Sequence, residues 1–164
     1  MKDEMDSMAS NRVWDLVKLP DGVKTIGCKW VFKTKKDSLG NIERHKARLV
    51  AKGFTQTEGI DYTETFSPVS KKDSFRVVMA LVSHFDFELH QMDMKMAFLN
   101  GDLEEEVYMK QPEGFSSKDG EHLVCKLNKS IYGLKQASRQ WYMKFHKVIT
   151  SFGFEENVMD QCIY

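Results

Sequence analysis

Asp93 is the residue whose type and setting first point to chemistry. It stands in the run Gln91-Met92-Asp93-Met94-Lys95-Met96-Ala97-Phe98-Leu99-Asn100-Gly101, near the end of a stretch, Phe87 to Met94, that reads as a strand. A carboxylate at a strand end can hold a divalent cation, because hard ions such as Mg2+ take oxygen ligands. An aromatic five residues on, Phe98, followed by an Asn-Gly turn, can shape a nucleotide pocket. Each also has a plainer reading, Asp93 as an ordinary turn acid and Phe98 as core packing.

The second chemical feature is a basic arm. Residues 24–53 hold nine Lys and Arg against two acids, a net charge of +7, while residues 77–121 carry a net charge of −7 and residues 122–164 a net charge of +3. The whole chain is neutral. A basic arm beside an acidic segment suits an enzyme that handles polyanions with metal ions. A solvated hairpin and a solvated acidic loop are the simpler explanation. Within the arm, Gly27–Lys33 reads as a strand, 37–41 as a turn and Ile42–Lys52 as the returning strand. Side chains alternate, so Arg44, Lys46, Arg48, Val50 and Lys52 share one face and Ala47, Leu49 and Ala51 the other. Such a cationic row fits phosphates; it also fits an edge strand protected by Lys.

These groups must be positioned by a fold of modest size. The chain has 164 residues, 41% of them hydrophobic, enough for one domain or a large part of one. No apolar run approaches the ~18 residues that a membrane helix requires, and Met1-Lys2-Asp3-Glu4 starts no secretory signal. No membrane partner and a cytoplasmic or nuclear location are therefore expected. Cys28, Cys125 and Cys162 are far apart and odd in number, and read as reduced core residues with neither zinc nor disulfide. The five histidines show no metal spacing, and Glu104-Glu105-Glu106 reads as solvated surface.

Met1, Met5 and Met8 at helical spacing predict a short helix ended by Asn11. Trp14–Val17 reads as a short strand, and 53–68 as mostly loop. Asp73 or Ser74 is placed to cap a helix reaching Phe85, with an apolar stripe of Phe75, Val78, Met79 and Val82. Residues 102–120 read as an acidic loop and 123–127 as a strand. Ser138 is placed to cap a last helix bearing Trp141, Tyr142, Phe145, Val148, Ile149 and Phe152, ended by Gly153.

Four segments carry a resemblance to a known family: the run around Asp93; the basic hairpin; Gln111-Pro112-Glu113-Gly114-Phe115; and Ser130-Ile131-Tyr132-Gly133-Leu134-Lys135-Gln136-Ala137-Ser138-Arg139-Gln140-Trp141-Tyr142. Together they resemble the reverse transcriptase of copia-type LTR retrotransposons, over about Trp14 to Tyr164. The implied fold is α+β, a partial polymerase right hand. Residues 1–86 would be mostly fingers, 87–100 a palm strand with the catalytic acid, 101–137 a fingers and pocket segment, and 138–164 a palm helix.

The resemblance also implies roles. Asp93 would be catalytic and metal-binding, one ligand in a site for two Mg2+ ions. Met94, Lys95 and Met96 would pass close to the incoming dNTP triphosphate, with Lys46 and Arg48 closing over it. Phe98 would be the steric gate that excludes a ribose 2′-hydroxyl. Gly133, Lys135 and Gln136 would belong to the template and dNTP pocket, and Lys33 and Lys35 would track the nucleic-acid backbone. Met96 and Ser138 depart from the residues usual in the family, a small or β-branched residue and a proline.

The implied activity is RNA-directed DNA polymerisation: phosphoryl transfer from dNTPs to a primer 3′-hydroxyl on an RNA or DNA template. The family's second motif, Tyr-x-Asp-Asp, follows a segment like Asp160-Gln161-Cys162-Ile163-Tyr164, and the sequence contains no Asp-Asp pair. The expectation is a transposable-element Pol fragment, inactive alone and poorly soluble. The competing expectation is a non-catalytic nucleic-acid-binding remnant or an unstable fragment.

Overall fold

The computed structural model describes residues 1–115, 120 and 122–164; positions 116–119 and 121 of the expected acidic loop lie outside them. In chain order the elements are α1 (Lys2–Ser10), β1 (Trp14–Lys18), β2 (Cys28–Lys36), β3 (Ile42–Ala51), α2 (Lys72–Phe85), β4 (Asp102–Met109), β5 (Leu123–Lys129) and α3 (Ala137–Ser151), with 3-10 turns at Gly53–Thr55 and Ala97–Asn100. The class is mixed α+β, as the sequence predicts.

One antiparallel sheet has the order β1-β5-β4, and β2-β3 form a separate hairpin. β5 is central because it supplies Cys125 and Leu127 at alternate positions, facing Leu16 and Trp14 of β1 and Met109 and Val107 of β4. Met8, Val13, Ile26, Leu49, Val107, Met109, Cys125 and Ile131 form the core. Each such side chain contributes roughly 1.5–3 kcal/mol on burial. Burial pushes the Cys125 thiol up to about 12, so this cysteine is a packing group and not a thiolate. All three cysteines are free.

β4 corrects the expected loop over 102–120. The run of glutamates masks an alternating strand, in which Leu103 and Glu105 are half-buried and Val107 is fully buried. Glu106 pairs across the ladder with Lys126. Glu105 accepts from the Thr63 amide and hydroxyl, so the acidic run is only partly free surface.

The hairpin is stitched to the sheet by backbone hydrogen bonds. The Ile26 amide donates to Tyr108 (2.9 Å), Lys110 to Ile26 (2.9 Å) and, beyond the hairpin's own bond from Lys52 to Gly27 (2.8 Å), Ala51 to Tyr132 (2.7 Å). The last contact requires two glycines. Gly133 has φ +92°, and a Cβ there would lie 2.2 Å from the Ala51 carbonyl oxygen; one on Gly53 would lie 2.0 Å from the Gly133 carbonyl oxygen. The Gln111–Phe115 loop, to which the sequence assigned no role, clamps the hairpin. Trp30 Nε1 donates to the Glu113 carbonyl (3.2 Å), and the Trp30 and Phe115 rings lie 5.6 Å apart.

Two further expectations change. Residues 87–94 form no strand, because no ladder partner faces them among the described residues. Their apolar side chains Phe87, Leu89, Met92 and Met94 stay exposed. α2 forms where expected, yet none of its residues is buried: its apolar stripe meets no other element across a broad contact. Neither Asp73 nor Ser74 caps it from the N-cap position, which is Lys71. Asp160 reaches across instead, accepting from the Lys71 amide (3.3 Å), and hydrogen bonds from Ser74 and then the Cys162 amide hold its carboxyl below the usual range. Ser138 likewise lies within the first turn of α3, whose N-cap is Gln136. Gly153, at φ +86°, follows the end of α3 as read.

The junction is testable with two glycines of similar backbone. Gly133→Ala should lower the unfolding free energy by about 3 kcal/mol or more, combining left-handed strain with a backbone clash. Gly114→Ala, at φ +81° in open space, should cost about 1–2 kcal/mol. Urea unfolding monitored by Trp fluorescence distinguishes them; equal losses would mean that the Gly133 contact is not tight in solution.

Candidate polyanion-binding cavity

A cavity of about 640 Å3 lies where three segments meet. β3 contributes Arg44 through Arg48, the segment after α2 contributes Asp93 through Met96, and α1 contributes Asp3, Glu4 and Ser7, joined by Met1 at its N-cap. Leu99 and Tyr132 complete the wall. Lys46, Arg48, Asp93, Met94, Lys95 and Met96, selected from distant parts of the sequence, therefore line one space.

Local structure explains how the acid segment reaches it. Leu99, buried in the core, anchors the 3-10 turn Ala97–Asn100. Met96 enters that turn at φ +54°, in the left-handed region, and its carbonyl accepts from the Leu99 amide (2.9 Å) and the Asn100 side chain (3.3 Å). A β-branched residue is a genuine outlier at such a φ, so unbranched Met suits the conformation found here. Its sulfur lies 2.6 Å from the Ser7 hydroxyl, tying α1 to the same turn. Asp93 and Lys95 are exposed.

Tyr132 is the residue that sequence reasoning missed. The Arg48 guanidinium carbon sits 4.9 Å from the centre of its ring, a cation–π contact worth about 0.5–1 kcal/mol at an exposed site. Phe98 meets the same ring edge-on at 4.9 Å and 82°. Phe98 does not itself line the cavity among the described residues; it braces Tyr132, which does. The available signal was the position of Tyr132, directly before Gly133 on the segment that approaches β3.

The hairpin concentrates positive charge without neutralising it. Lys33 pairs with Lys46 and Lys35 with Arg44 directly across the ladder, and like charges so placed are destabilising. Among the described residues, none of Lys33, Lys35, Arg44, Lys46 and Arg48 has a carboxylate within 4.0 Å. A face that accepts this repulsion is matched to a polyanion, whose phosphates would relieve it.

The remaining candidates lie elsewhere. Gln136, fully buried, accepts from Gln56 Nε2 (3.1 Å) and donates to the Asp61 carbonyl (3.0 Å). Lys135 donates to the Gln56 carbonyl (3.3 Å) and the Tyr62 hydroxyl (3.0 Å), and lies 4.6 Å from the centre of the Tyr62 ring. Both fasten the 53–62 segment. Gly133 makes its close approach to β3. As for metal, no three His, Cys, Asp or Glu side chains converge among the described residues. Asp93 alone does not fit a two-ion centre, which needs several carboxylate oxygens.

Sequence comparison identifies the family. Residues 11–164 match the family described as Reverse transcriptase (RNA-dependent DNA polymerase), and the chain belongs to it. It is 53% identical over 164 residues to the Retrovirus-related Pol polyprotein from transposon TNT 1-94 of Nicotiana tabacum, covering 100% of this chain and 12% of that one. It is 44% identical over 165 residues to the Retrovirus-related Pol polyprotein from transposon RE1 of Arabidopsis thaliana, covering 100% and 11%. A Transposon Ty1-ER2 Gag-Pol polyprotein of Saccharomyces cerevisiae is 26% identical over 98% of this chain and 9% of its own. The chain thus spans about one-eighth or less of these relatives. No solved structure matches it. No helix among the described residues is long and apolar enough to cross a membrane.

The like-charge pairs give a test in which stability and binding move oppositely. Lys33→Gln should stabilise the fold by a few tenths of a kcal/mol and lower the salt slope of oligonucleotide binding by about one. Thermal melts and fluorescence anisotropy at several salt concentrations read the two effects. A destabilised variant with an unchanged slope would make the row a simple solvated edge.

Proposed function

We propose that this chain forms the triphosphate-binding side of an RNA-directed DNA polymerase. It would supply the fingers and the opening elements of the palm in a copia-type Pol polyprotein. The observation that carries the reading is the convergence of Lys46 and Arg48 with Asp93–Met96 on one cavity. The cations would neutralise a dNTP triphosphate, and charge-assisted contacts of this kind are roughly twice as strong as neutral ones. Asp93 would serve as the metal-binding carboxylate of the first catalytic motif. Further carboxylates of a Mg2+ centre would come from elsewhere in the parent polyprotein. Phe98, pressed on Tyr132, would fix the aromatic wall that screens the sugar.

Lys33 and Lys35 would hold template or primer phosphates, setting position without reading sequence. Residues 87–94 and the apolar stripe of α2 would be covered in the parent by palm elements outside this chain, the segment near Asp93 becoming a strand on pairing. A cytoplasmic or nuclear location accords with this role. A second reading, a nucleic-acid-binding piece without catalysis, is favoured because no three metal-ligating side chains converge among the described residues. It applies to the 164-residue chain taken alone.

In a Pol polyprotein carrying this segment, Asp93→Asn should reduce primer extension on an oligo(dT)-primed RNA template by about 100-fold or more. Template-primer binding should stay within about twofold. Lys46→Ala with Arg48→Ala should raise KM for dNTP about tenfold. Extension that survives Asp93→Asn would remove this residue from the metal centre and contradict the reading.

A further inference from the structure

α1 faces the cationic wall with carboxylates. Asp3, Glu4 and Ser7 fall at helical spacing and share one face, and all three line the same cavity as Arg44, Lys46 and Arg48. The helix is not a loose tail. Met8 is buried at 1% exposure within the core, Ser7 touches Met96, and the Asn11 side chain and the Val13 amide bond back to Ser7 (2.8 Å) and Met8 (3.1 Å). Neither Asp3 nor Glu4 has a basic group within 4.0 Å among the described residues. Their charge is therefore spread into the cavity and not consumed in a closed ion pair. The family match begins at Asn11, so α1 stands before it.

We propose that α1 is an electrostatic filter on this cavity, in which Asp3 and Glu4 weaken the binding of bare polyphosphate to Lys46 and Arg48. The proposal rests on the reading of the cavity as a polyphosphate site. Two acids on one wall lower the positive potential felt by any anion entering, over a range set by the Debye length of about 8 Å at physiological salt. A strongly charged free polyanion is penalised more than a ligand whose charge is already partly neutralised. The filter thus sets selectivity without touching the ligand. Acids in a first helical turn also favour the helix dipole, a role that would affect stability alone.

Isothermal titration with sodium tripolyphosphate at low salt separates these roles. The Asp3→Asn/Glu4→Gln variant should bind about 3- to 10-fold more tightly than the unaltered chain, and the gain should shrink as salt is raised. The Lys46→Ala/Arg48→Ala variant should lose most of the binding. Circular dichroism checks that α1 persists in the amide variant. Equal affinities of the amide variant and the unaltered chain, with binding still lost on removing the cations, would overturn the filter and leave the cavity reading standing. Adding the same amide pair to the Lys46→Ala/Arg48→Ala variant should restore no binding, and a gain there would also overturn it. No binding by any of the three would overturn both.

Discussion

The rest of the structure depends on the contact between the Tyr132-Gly133 backbone and the end of β3. The Ala51 amide meets the Tyr132 carbonyl at 2.7 Å, and the space beside it admits no Cβ on either Gly53 or Gly133. This junction fixes the hairpin against the β1-β5-β4 sheet at the end where Arg48 stands. The Tyr132 backbone is held there, and its ring meets both the Arg48 guanidinium and the Phe98 ring. Phe98 belongs to the turn whose preceding residues are Asp93 to Met96. A single backbone contact thus couples the cationic strand to the acidic segment.

That coupling accounts for the local concessions. Like charges face each other across β2 and β3, and Met96 takes a left-handed conformation. Left-handed strain of that kind costs of order 1–3 kcal/mol and persists only where the surroundings over-determine it. Here the buried Leu99, the Met96 carbonyl contacts and the Ser7 contact supply that constraint. Repulsion and strain concentrate around one cavity, while the three-stranded sheet contributes Val107, Met109, Cys125 and Leu127 to the buried core.

Much of this was legible in the sequence where pattern and packing agree. The hairpin, α1 with its buried Met8, β5 and the helical spacing of α3 all follow from local periodicity. β4 was hidden because three successive glutamates obscure an alternation that ladder pairing with β5 makes favourable. Residues 87–94 carry strand-like residues, yet a strand exists only with a partner, which local sequence does not supply. The site was legible as separate candidates: Asp93, Lys46 and Arg48 could be chosen from type and resemblance. That Tyr132 joins them, and that Lys135 and Gln136 hold the 53–62 segment, depends on contacts between residues far apart in the chain. Helix caps failed for the same reason, since Asp160 caps α2 from far along the sequence.

The central claim is that β3, the Asp93–Met96 segment and Tyr132 form one triphosphate site. Titrating isotopically labelled protein with dTTP and following backbone amide shifts by NMR tests it most directly. The account predicts saturable shifts of the 44–48 and 93–96 amides with one common dissociation constant, accompanied by Tyr132. Shifts confined to β3, or shifts of the two segments with different constants, would contradict it.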